Sequence, residues 1–98
     1  MIKIIVNDRK IKISGHAEYA DYGKDIVCAS VSSIVYTTVN GILNIDESAI
    51  EFTDTKNEMT IKIPKETEII KKLIQSMLDL LADLEKQYPK NIKIVKGE

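Results

Sequence analysis

The feature that most limits the fold is a run without a single charge, Ile26 to Ile45, in a chain that is 30% charged as a whole. Its length matches the ~20 apolar residues of a membrane span. Ser30, Ser32, Ser33, Thr37, Thr38, Asn40 and Asn44 interrupt it, however, and lipid does not solvate so many hydroxyl and amide groups. Val27, Val31, Ile34, Val35, Thr38 and Ile42 recur at spacings of three and four, which predicts a helix with one apolar stripe. Its many β-branched residues are weak helix formers, so packing must hold it. A helix with no charged face is normally covered on more than one side. In 98 residues the second cover is expected to be another copy of the chain, so a homodimer is expected and a membrane partner is not. By that reading a charge at a facing site such as Val39 dissociates or unfolds the protein.

The segments around this helix alternate with a period of two. Met1 to Val6 and Lys10 to Ser14 read as half-buried strands, Ile11 and Ile13 on one side and Lys10 and Lys12 on the other. Asn7-Asp8-Arg9 supplies the turn between them. Ala49 to Thr53 and Met59 to Ile63 predict a second hairpin, stopped by Pro64. Lys65 to Tyr88 places Ile70, Leu73, Ile74, Met77, Leu81, Leu84 and Tyr88 at helical spacing, and Pro89 ends that helix. Ile92 to Ile94 makes a short closing strand. The order β-β-α-β-β-α-β, without linker or repeat, predicts an α+β fold: one sheet with two helices packed on one face, a single domain over 1-98.

Several function classes are excluded by composition. Fourteen basic and fifteen acidic residues leave a net charge of -1, so no one-signed field gathers nucleic acid. One cysteine and one histidine are too few for a structural zinc site, and no metal or other cofactor is expected. The single cysteine allows no internal disulfide, and Met1-Ile2-Lys3 opens no secretory signal, so a cytoplasmic location is expected. A thiol oxidoreductase would want a Cys-x-x-Cys pair, which is absent.

Chemistry concentrates between Gly15 and Ser32. The only histidine, His16, follows a strand, and the only cysteine, Cys28, falls in the first turn of the long helix. Unpaired backbone N–H groups and the positive end of the helix dipole favour a thiolate there, and the same N–H groups can receive an oxyanion. His16, folded against the helix start, would take the thiol proton and return it to a leaving amine. Spacing alone favours the plainer readings, Cys28 as a small apolar core residue and His16 as an ordinary surface or hydrogen-bonded side chain. Asp25 is either the helix N-cap or a carboxylate that orients His16. Gly15 and Gly23 mark sharp turns or a close approach to a ligand. Ser32, one turn after Cys28, bonds either its own helix backbone or a substrate group. Tyr19 and Tyr22 are surface contacts or cover an apolar substrate side chain. The segment from Gly15 to Lys24 reads as a loop with little to anchor it, expected to close over an extended peptide at Cys28.

Gly15-His16-Ala17, followed by Tyr22-Gly23-Lys24-Asp25-Ile26-Val27-Cys28-Ala29 and Ser32, closely resembles the signature of the bacterial ribosomal-processing cysteine proteases, the Prp family. Element order and length resemble that family over the whole chain. The resemblance implies a His16–Cys28 dyad in a homodimeric cysteine protease, with Asp25, Gly15, Gly23 and Ser32 left as candidate supporting residues. The implied partner is the N-terminal peptide of a ribosomal protein precursor, that of large-subunit ribosomal protein twenty-seven. The rival reading is a non-catalytic, dimeric ribosome-associated or ribosome-assembly module in which Cys28 is buried packing.

Overall fold

Alternation and helical spacing translate into seven elements in the computed structural model, which describes residues 1–15, 26–55 and 58–97. They are β1 (Ile2–Asn7), β2 (Lys10–Ser14), α1 (Ile26–Ile45), β3 (Glu51–Asp54), β4 (Glu58–Lys62), α2 (Glu68–Gln87) and β5 (Ile92–Lys96). The strands form one mixed sheet in the order β3-β4-β2-β1-β5, antiparallel throughout except that β1 and β5 run parallel.

Register explains why one face of this sheet is apolar. Met59 opposes Ile13, Ile13 opposes Ile4, and Ile4 opposes Ile94; a second row runs Phe52, Ile61, Ile11 and Val6. With a side-chain period of two, the lysines between them fall on the other face. Both helices contribute to the same buried cluster, α1 through Val27, Val31, Val35, Val39 and Ile42, and α2 through Ile70, Ile74, Met77, Leu81 and Leu84. Two helices on one face of one sheet is therefore the architecture. Val39 is 1% exposed: it points at the sheet, so it is a core position and not a site that faces a partner.

Element boundaries moved where local hydrogen bonds outweigh periodicity. The second helix begins at Glu68, not Lys65, because Thr67 caps it by accepting a bond from the Ile70 N–H at 3.4 Å. The third strand begins at Glu51, not Ala49: Ala49 and Ile50 are buried, but the Ala49 N–H bonds the Asp46 carbonyl in a turn. The fifth strand runs two residues further than expected, to Lys96, where it still pairs with Val6 of β1.

One end of the sheet gathers the elements that matter for chemistry. Ser14, the last residue of β2, opposes Glu58 on one side and Lys3 on the other, so the start of β1, the end of β2 and the β3–β4 turn lie together.

Candidate active site

A cleft of about 260 Å³ opens at that end of the sheet, between α1 and the β3–β4 hairpin. One wall is the row Cys28, Ser32 and Tyr36, successive turns of one face of α1; the other is Asp54, Thr55, Glu58 and Met59. Ile2, Ile13 and Gly15 form the floor beside Val31. Cys28 is the third residue of α1 and half-buried, its side chain against the core and its edge in the cleft. That position lies in the first turn of the helix, at the positive end of its dipole. The dense packing of Val27 and Val31 on either side holds the helix start against the sheet.

Gly15 adopts a φ of +89°, in the left-handed region that favours glycine, and a Cβ added there would overlap the Met1 carbonyl oxygen. Backbone geometry thus requires glycine at a point of the cleft floor. The Ser32 hydroxyl makes no hydrogen bond among the described residues, in contrast to Ser30, whose hydroxyl donates to the Ile26 carbonyl at 2.7 Å. Ser32 therefore does not spend its hydroxyl on the helix backbone and presents it to the cleft. His16, Asp25 and Gly23, together with Tyr19, Tyr22 and the expected closure of the 15–24 segment, lie outside the described residues.

Sequence reasoning missed the second wall. Asp54 is exposed and has no ion-pair partner among the described residues, while Glu58 pairs with Lys12 at 3.3 Å. That pair is exposed enough to contribute only ~0–1 kcal/mol. Tyr36 meets Phe52 edge to face, ring centroids 5.6 Å apart at 82°, and closes the far end of the cleft. Asp54, Thr55 and Glu58 carry no motif, and only β-sheet pairing across the chain brings them opposite Cys28; Tyr36, two turns after Cys28 on the same helix face, was within reach of helical spacing.

A cleft of this size with a thiol at a helix start suits peptide chemistry, and comparison with known proteins decides the family. The model of the family described as cysteine protease Prp matches residues 1–93. The chain belongs to the Prp family of cysteine proteases. A ribosomal processing cysteine protease Prp of Staphylococcus aureus is 29% identical over 100 residues, covering 95% of this chain and 94% of the relative. A crystal structure of S. aureus Prp with a covalently linked product peptide superposes with a TM-score of 0.91 at 24% identity, covering 99% of this chain and all of that one. A second, with a substrate peptide, gives 0.81 at 25% identity, covering 98% and 97%. The Prp fold is thus reproduced end to end, and the chain is a cysteine protease. The non-catalytic module falls with that assignment.

Proposed function

We propose that the chain removes the N-terminal extension of a large-subunit ribosomal protein precursor, that of ribosomal protein twenty-seven, by Cys28–His16 catalysis. The observation that carries this reading is the position of Cys28, in the first turn of α1 and in the wall of a cleft, within a family of cysteine proteases whose relatives are named for ribosomal processing. Solved relatives that hold substrate and product peptides support a peptide as the partner.

The Cys28 thiolate attacks the scissile carbonyl carbon, and its new S–C bond gives a tetrahedral oxyanion received by backbone N–H groups at the helix start. The C–N bond breaks as His16 passes its proton to the departing amine. Water, deprotonated by His16, then adds to the thioester carbon, releasing the extension as a carboxylic acid and restoring the thiolate. Two carboxylates in the opposite wall, Asp54 and Glu58, oppose negative charge on sulfur, so the helix start and an imidazolium at His16 have to outweigh them. Asp25 either orients His16 or caps α1, and Gly15, Gly23 and Ser32 support the dyad. Synthesis of ribosomal proteins puts this activity in the cytoplasm. Incubation with the extended precursor, read by mass spectrometry, is expected to show loss of the extension's mass at one junction; an uncut precursor would refute the substrate.

The active form is a homodimer built on α1. The support is an apolar groove of about 670 Å³ between the two helices, lined by Ala29, Ser33, Ile34 and Leu84 and flanked by Ile26 and Leu80, 52% and 50% exposed. Leu80→Lys is expected to shift light scattering at micromolar concentration from dimer to monomer mass, with the circular dichroism of the fold retained. A monomeric wild-type chain would end the dimer reading.

A further inference from the structure

The two edges of the sheet are finished differently. At β5 the outward Ile94 N–H donates to the Glu85 carboxylate of α2 at 2.9 Å, so a helix side chain occupies that edge. At β3 the Thr55 N–H donates to the Glu58 carbonyl at 2.8 Å and the reciprocal bond is 3.4 Å, which makes this a hydrogen-bonded pair. Antiparallel pairs alternate, so the opposed pairs Asp54/Met59 and Phe52/Ile61 are non-hydrogen-bonded. The N–H and C=O groups of Phe52 and Asp54 therefore point away from the sheet, and no backbone partner meets them among the described residues. An open edge of this kind is a template for another strand.

Its position gives it a purpose. Phe52 sits against Tyr36, and Asp54 and Thr55 line the same cleft as Cys28, so β3 runs antiparallel to α1, from beside Tyr36 toward Cys28. From Tyr36 to Cys28 the helix rises ~12 Å; from Phe52 to Thr55 a strand advances ~10 Å. The open edge is thus as long as the row of α1 that ends on the sulfur.

We infer that the edge of β3 receives the extended substrate segment as a sixth strand, pairing with the outward N–H and C=O groups of Phe52 and Asp54 and delivering the scissile bond to Cys28. This rests on the reading that Cys28 cuts a peptide, and it adds how the peptide is held: by main-chain bonds that fix its register, with alternate side chains directed toward the cleft. An N-terminal extension is a suitable occupant, because a chain end with no fold of its own can lie flat along an edge. A folded segment cannot.

The test is a scan of fluorescein-labelled synthetic peptides spanning the extension junction, each N-methylated at one residue, with anisotropy on the Cys28→Ala chain. Strand pairing predicts period two: methylation at alternate residues weakens binding roughly tenfold, the loss of one main-chain bond that leaves its partner unpaired, and the residues between change little. On the protein side, Asp54→Pro removes an outward N–H and keeps the ladder to β4, so it should bind roughly tenfold more weakly than Asp54→Ala, which keeps that N–H. A response without period two overturns the edge, whatever Asp54→Pro does to folding. Cleavage by the wild-type chain is assayed separately: a cut peptide without alternation sinks the edge and leaves the protease, whereas an uncut peptide that binds with alternation sinks the protease reading and leaves the edge.

Discussion

Cys28→Ala is expected to leave a folded chain that no longer shortens the precursor, with turnover down by a factor on the order of 10⁴ or more. The loss is large because the nucleophile is one of a set that acts as a unit: without sulfur no acyl-enzyme forms, and the imidazole of His16 has nothing to deprotonate. The fold should tolerate the change, since Cys28 is only half-buried and alanine is a good helix former. His16→Ala should reduce turnover strongly and also slow alkylation of Cys28 by iodoacetamide at mildly acidic pH, where the wild-type thiol is expected to react faster than a small free thiol of similar exposure. Equal alkylation rates for wild type and His16→Ala would separate the imidazole from the thiol and undo the dyad. Retained cleavage in Cys28→Ala would remove Cys28 from the chemistry altogether.

Val39→Glu is expected to unfold the protein, not merely to split a dimer. Val39 is 1% exposed in the cluster between α1 and the sheet, where a carboxylate finds neither water nor a partner. An uncompensated buried charge costs about 4 kcal/mol or more, a large share of the ~5–15 kcal/mol that holds a domain of this size. The thermal midpoint should fall by about 20 °C, or the cooperative transition should vanish. Thr37→Glu, on the exposed side of the same helix, should change the stability of a monomer by no more than about 0.5 kcal/mol. Similar melting curves for the two variants would contradict the orientation of α1.

The contrast between Val39 and Thr37 shows what the amino-acid pattern could and could not convey. Spacing in threes and fours located the helix, but with no charge on either side of it, one stripe of Val and another of Ser, Thr and Asn were the only clues to which side faced the sheet. Strands were legible because lysines alternate with isoleucines in β1, β2 and β4. Strand order was not: the turn at Asn7-Asp8-Arg9 gives Ile2–Val6 its neighbour Lys10–Ser14, but nothing local announces Ile92–Lys96 on its other side or β4 beside β2. For the same reason Cys28 was singled out by its place in a first turn and by its motif, whereas Asp54, Thr55 and Glu58 were invisible until β3 was laid beside β4. Cys28 and Ser32 do share a face, as a separation of four requires; Thr67 delays the start of the second helix to Glu68 through a side-chain bond that periodicity ignores.

The parallel pairing of β1 with β5 has a consequence for how the molecule comes into being. Ile2, part of the cleft floor, pairs with Ile92 and donates its N–H to the Asn91 carbonyl at 2.8 Å. Contacts of such sequence separation are the slow ones in folding, since a long loop must close before they form. While the chain is being synthesised, β1 waits beside β2 with one edge unpaired until β5 has left the ribosome. The floor under the nucleophile is thus completed by a strand that emerges after the other elements of the cleft, and the cleft is assembled late in folding, after the hairpins and helices that will surround it can already have formed.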